Sequence, residues 1–131
     1  MTTRDIIPSN NERDIEIASI IKEQLLFLNF NYYCSWGVSQ TRVARIEDNP
    51  SLGILVNGFI HKGWVFISLT PEDLYDVWLV APNNYKVTYK CKRGLMFDQL
   101  HEVIDGWVEK DPSWSDEEYS ERVDKWLATQ A

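Results

Sequence analysis

Apolar and polar residues alternate with two different periods along this chain. From Ile17 through Ile20, Ile21, Leu25 and Leu28 the spacing is helical, with Asp14, Lys22 and Glu23 outside the stripe. Leu26 and Phe27 widen it, so the C-terminal half of this first helix is expected to be buried on most sides. Ser9 and Glu12 stand at capping-box spacing and place its start, and Asn29 and Asn31 mark its end. Residues 1–10 read as a loose arm.

The period then falls to two. Tyr32–Val38 reads as a strand, and Thr41–Ile46 as a second strand or its continuation, before the turn chemistry of Glu47-Asp48-Asn49-Pro50-Ser51. Two hairpin turns compete next. Asn57-Gly58 is a type I′ dipeptide, but its partner strand would contain Pro50. Lys62-Gly63 leaves two long strands, Leu52–His61 and Trp64–Leu69, and is favoured for the apolar surface they bury. That register opposes Ile60 to Val65, Gly58 to Ile67 and Val56 to Leu69 on a helix-covered face. It opposes Phe59 to Phe66 and His61 to Trp64 on an aromatic outer face.

Thr70-Pro71-Glu72-Asp73 resembles a single helical turn, and Tyr75–Val80 resumes strand character. Pro82-Asn83-Asn84 turns the chain into Tyr85–Lys92, whose alternation puts Tyr85, Val87, Tyr89 and Cys91 inward. Lys86, Lys90 and Lys92 then guard an edge strand. Helical spacing returns at Phe97, Leu100, Ile104, Trp107 and Val108, and Asp111-Pro112 stops it. Ser115 and Glu118 cap a third helix with Tyr119, Val123, Trp126 and Leu127 as its stripe.

The fold expected is α+β in one domain: an antiparallel meander of about five strands, one N-terminal helix and two C-terminal helices. The first two helices cover one sheet face, because a sheet buries its apolar face against another layer. Ile17, Ile21, Leu25, Val56, Ile60, Val65, Ile67, Leu69, Leu100 and Ile104 are the expected core. A chain of 131 residues, 44% hydrophobic and 25% charged, is long enough for such a core.

Charge refines this picture. Residues 1–94 hold ten acids and ten bases, so the net charge of −7 resides entirely in residues 95–131. Such a field repels phosphates and argues against direct nucleic-acid binding, including base stacking on an aromatic sheet face. No apolar run approaches the roughly 20 residues that cross a bilayer, and the first fourteen residues lack the apolar core of a secretory signal. Cytoplasmic location is expected, with Cys34 and Cys91 as reduced core thiols and both histidines on the surface.

Chemistry is sparse. His61, His101, Cys34 and Cys91 show no metal-ligand spacing, and no glycine-rich phosphate cradle occurs, so neither metal nor cofactor is expected. Cys34 with His61 or His101, and the carboxylates of Asp73, Asp76, Asp98 and Glu102, are the weak candidates for catalysis. The stronger expectation is a protein interface formed by Phe59, His61, Trp64 and Phe66, serving self-association or an accessory subunit. A second is an acidic face of Glu102, Asp105, Glu109, Asp116, Glu117 and Glu121, imitating phosphate charge before a nucleic-acid-binding protein.

Ser35-Trp36-Gly37-Val38, Val56-Asn57-Gly58-Phe59, His61-Lys62-Gly63, Asp73-Leu74-Tyr75-Asp76-Val77 and Phe97-Asp98-Gln99-Leu100 resemble segments of a loose group of small uncharacterised proteins from bacterial and phage or mobile-element genomes. The resemblance spans about residues 30–110. It implies a compact α+β domain in a phage or mobile-element setting and brings no activity with it.

Overall fold

Six antiparallel strands form one meander, in the order β1-β2-β3-β4-β5-β6, with helices on one face. The computed structural model describes residues 5–28, 30–82, 88–110 and 113–130, apart from the side chains of Asn31, Tyr32, Trp126, Thr129 and Gln130. The expected roles of Asn29, Asn83-Asn84, Tyr85, Lys86, Val87, Asp111-Pro112 and the Trp126 side chain lie outside the described residues.

The supposed N-terminal arm contains β1 (Ile6–Pro8), which pairs with β2 (Gln40–Ile46). Helix α1 (Glu12–Leu28) follows. Its cap is Asn11, whose Oδ1 accepts the Arg13 N–H at 2.9 Å. Ser9, the expected cap, instead donates its hydroxyl to Asp14 at 2.6 Å.

Tyr32–Val38 is not a strand. Residues Phe30–Ser35 form a short helix, α2, whose end delivers Trp36 into the core. There the indole N–H donates to Asp105 Oδ1 at 3.0 Å, and the Trp36 carbonyl accepts the Asn57 N–H. Burial of a whole indole outweighs the modest strand preference of the preceding tyrosines.

Glu47 and Asp48, both at positive φ, make a two-residue hairpin turn. Asn49, Pro50 and Ser51 therefore belong to β3 (Asn49–Asn57) rather than to a loop. Pro50 lies beyond the β3–β4 ladder, which begins at Ser51↔Ser68, so its missing N–H costs that ladder nothing.

The β3–β4 connection uses neither expected dipeptide. Asn57 pairs with Lys62, leaving Gly58-Phe59-Ile60-His61 as a four-residue loop before β4 (Lys62–Leu69). Its Ile60 and His61 N–H groups both donate to the carbonyl of Val108, at 2.7 and 3.2 Å. That carbonyl ends helix α3 (Leu100–Val108), so the loop caps a helix that leaves its last carbonyls unsatisfied. Gly58 allows the approach, since a Cβ there would lie 2.4 Å from the Val108 oxygen. The expected register fails as a result: Trp64 opposes Leu55, Val65 opposes Ile54 and Phe66 opposes Gly53. Ile60, expected in the core, is 44% exposed.

Thr70–Leu74 is a hairpin loop, not a helical turn. The Thr70 N–H and hydroxyl both donate to the Leu74 carbonyl, and Asp73 takes a left-handed conformation. Strand β5 (Tyr75–Val80) is buried throughout, and β6 (Thr88–Leu95) forms the edge. Tyr89 and Cys91 are exposed rather than inward, because irregular pairing with β5 and the lack of an outer neighbour leave β6 little to pack against. Cys34 is also exposed, so neither cysteine is a core thiol.

A 3-10 turn, Phe97–Gln99, leads into α3, and α4 (Asp116–Gln130) begins at Ser115 as expected, with the Glu118 N–H on its hydroxyl at 3.1 Å. Ile21, Leu25, Val56, Val65, Ile67, Leu100 and Ile104 lie in the helix-covered core, and Ile17 and Leu69 pack against it. No helix among the described residues is long and apolar enough to cross a membrane.

Candidate interaction surfaces

Trp64 and Phe66 alternate with Val65 and Ile67 and so point away from the helices, as their period requires. They are nevertheless buried. They pack with Ala44, Ile46, Trp78 and Val80 in a second core whose members all come from strands. Their rings stack with centroids 5.7 Å apart. The Trp78 indole donates to Ser68, whose hydroxyl pairs with that of Ser51 at 2.6 Å, so these three side chains satisfy one another.

Two arginines lie over the rings of this face. Arg42 lies over the Trp64 ring, and Arg93 over Trp78 at 4.8 Å. Arg93, on edge strand β6, also bridges Glu47 at the β2–β3 turn and Asp76 on β5. Trp64 and Phe66 are therefore core residues rather than an exposed patch.

Phe59 and His61 sit in the β3–β4 loop, not on that face. Phe59 is half-buried, with Trp114 and Tyr119 edge-on to its ring. His61 is buried rather than on the surface. Desolvation pushes its pKa below the ordinary 6.5, against the opposing pull of the Trp64 and Val80 carbonyls.

The acidic candidates separate into two groups. Glu102 on α3 and Glu117 and Glu121 on α4 are exposed, and Asp116 pairs with Lys110. Asp105 and Glu109 turn inward. Burial raises the Asp105 pKa, with its bond to Trp36 pulling the other way. Glu109 joins two elements, accepting the Phe59 N–H at 3.0 Å and the Tyr119 hydroxyl. Burial and that carboxylate hold the Tyr119 phenol well above its ordinary 10.0. The six carboxylates thus form no single array.

Glu109 has a testable structural role. Its replacement by alanine should cost about 1–2 kcal/mol, the usual range for a lost partner of half-buried donors. Hydrogen exchange should speed up across α4 but not across β4 and β5. Unchanged α4 protection would show that Glu109 does not hold that helix.

The remaining chemical candidates are dispersed. Cys34 lies on α2, His101 is half-buried on α3, and Asp76 is buried on β5, where it accepts the Gly94 N–H. Among the described residues no group of three or more histidine, cysteine or acidic side chains is placed to hold a metal ion. A hollow of about 400 Å³ includes Arg13, Arg45, Asp48 and Asp73 in its wall, and Arg45 there is already paired with Asp14.

A different surface departs from the expected burial. Only one side of α1, carrying Ala18, Ile21 and Leu25, meets the sheet. Ile20, Gln24 and Phe27 lie within about 60° of one another around the helix. Phe27, expected to be buried with the C-terminal half of the helix, is 93% exposed, and Ile20 is 46% exposed. Gln24 accepts the Tyr75 hydroxyl at 2.6 Å and lines a hollow of about 360 Å³ with Leu74, Tyr75, Met96, Phe97, Asp73 and Asp98. Met96 and Phe97 are themselves largely exposed. In the sequence these apolar residues are indistinguishable from core. The one available signal is that α1 carries more of them than a single sheet-facing stripe can bury.

The chain matches no known protein family, no curated protein and no solved structure.

Proposed function

We propose that this chain is a non-enzymatic, cytoplasmic protein-interaction domain, an accessory subunit that engages its partner through the apolar surface around Tyr75. One observation carries the reading. Ile20 and Phe27 stand in solvent on the same side of α1 as Gln24, which walls a hollow with the exposed Met96 and Phe97. Single exposed apolar residues are ordinary, but neighbouring ones around a concavity mark association sites. The interface expected at Trp64 and Phe66 moves accordingly, since those rings are enclosed.

The test is cross-linked affinity capture from the native host with the wild-type chain and the double variant Phe27→Ser, Met96→Ser. Both positions are exposed, so circular dichroism should be unchanged. A partner retained by the wild type and lost by the variant supports the reading. The same proteins captured by both would overturn it.

A second reading, an acidic inhibitor of a nucleic-acid-binding protein, retains one supporting observation. Glu117, Glu118, Glu121 and Asp124 are all exposed within about two turns of α4. Charge reversal at Glu117 and Glu121 should then weaken partner binding, and added salt should weaken it steeply. Salt-insensitive binding would remove it.

A further inference from the structure

We infer that the partner of the Tyr75 surface is an amphipathic helix bearing lysine or arginine. The inference rests on the surface proposed above and concerns what occupies it.

Charge supplies the first argument. Among the described residues, Asp73 and Asp98 are the charged ones lining the hollow, and no lysine or arginine lines it. On the opposite margin, Glu16 and Glu23 lie within about 40° of Phe27 around α1, and both are exposed. An apolar centre is thus flanked by carboxylates on both sides. Apolar contact supplies affinity at such a site, while complementary rim charge selects the partner and speeds encounter.

The same rim disfavours a second copy of this chain. Two copies meeting face to face would bring both sets of carboxylates together, and like charges across an interface oppose association. Nucleic acid is repelled for the same reason.

Backbone topology favours a helix over a strand. Tyr75 belongs to β5, which is hydrogen-bonded on both sides by β4 and β6, so the floor offers no free sheet edge for strand addition. A trough between a helix side and the Met96-Phe97 segment suits the helix-in-groove mode, in which apolar residues spaced by three and four enter the trough.

The test is fluorescence anisotropy with a labelled 18-residue peptide of leucine and lysine, patterned to place leucines on one helical face. It is titrated with the full chain. A scrambled peptide of the same composition should bind about tenfold more weakly, and the Phe27→Ser, Met96→Ser variant should lose a similar factor, as expected for apolar anchors. Asp73→Asn with Asp98→Asn should weaken binding about threefold and flatten its salt dependence, as expected for rim charges. Asparagine is chosen because it tolerates the left-handed backbone of Asp73.

Equal binding of the scrambled peptide, or full binding by the Phe27→Ser, Met96→Ser variant, would overturn the inference. So would wild-type dimerisation by light scattering that the patterned peptide fails to reverse. If host capture depends on Phe27 and Met96 while the peptide does not bind, the partner class is wrong and the surface stands. If capture is also independent of those residues, the surface itself is wrong.

Discussion

Replacing Gly53 by alanine is expected to destabilise the protein by about 2–3 kcal/mol, the range of forced overpacking in a closed core. Gly53 opposes Phe66 across the β3–β4 ladder, and the phenyl ring lies over the glycine. An added Cβ would sit 2.4 Å from Phe66 Cε1 and 2.8 Å from Cζ, so something must move. The ring cannot move freely, because it is fully buried and stacked against Trp64. Urea denaturation should show a lower midpoint at unchanged slope. Phe66→Leu shortens the offending side chain and should by itself cost about 1 kcal/mol for the lost packing. In the double variant the two losses should total less than their sum, since leucine vacates the space the new methyl needs. Strict additivity would mean that the ring over Gly53 does not set the constraint.

The second large effect is expected at the ion pair between α1 and β2. Asp14 is fully buried and accepts Arg45 Nε at 2.8 Å, Arg45 Nη2 at 3.2 Å and the Ser9 hydroxyl at 2.6 Å. One carboxylate therefore joins the helix start, the second strand and the chain leaving β1. Removing the cation should cost more than removing the anion. Arg45→Ala strands a buried charge, for about 3 kcal/mol, whereas Asp14→Ala leaves a half-exposed guanidinium that water can solvate, for about 2 kcal/mol. Equal losses, or losses below about 0.5 kcal/mol as at solvated pairs, would place the carboxylate in water.

The same pair predicts an acid limb. Its bond to Arg45 is the chief reason that the Asp14 carboxyl titrates below the ordinary 3.8, with burial opposing. Its stabilisation is complete above that ordinary value and is lost as pH falls through the lower folded value. Asp105, raised by burial, has the opposite sign and gains stability as it protonates. The Asp14 contribution is therefore measured as wild type minus Asp14→Asn. That difference should shrink as pH falls below about 4, the unperturbed carboxylate range. A difference constant with pH would mean that the Asp14 charge contributes nothing.

Several elements were legible because their cause is local. The alternation from Trp64 to Leu69 and the 3.6-residue spacing from Leu100 to Val108 follow from backbone geometry, which any apolar face must obey. Ser115 was recognisable as a cap because its hydroxyl satisfies an N–H three residues away. Even the separation of Trp64 and Phe66 from Val65 and Ile67 followed from the pleat alone.

Other features were decided at a distance. The β3–β4 register depends on Val108, whose carbonyl draws in Ile60 and His61 from 47 or more residues away in the chain. Asp105 and Glu109 resemble Glu117 and Glu121 in sequence, yet Trp36 and Phe59 take up the first two. The candidate surface suffered the same ambiguity in both directions. Aromatics expected in solvent are buried among residues from neighbouring strands and under two arginines, and Phe27, expected to be buried, is exposed because the sheet meets only one side of α1.

The amino-acid pattern by itself determined the α+β class, the antiparallel meander and the face on which most strand residues lie, since period and turn chemistry act within a few residues. Tertiary structure alone decided which faces meet water and which acids keep their charge outside. Those outcomes depend on contacts between segments far apart in the chain, and a side chain's spacing along its own element does not encode what packs against it.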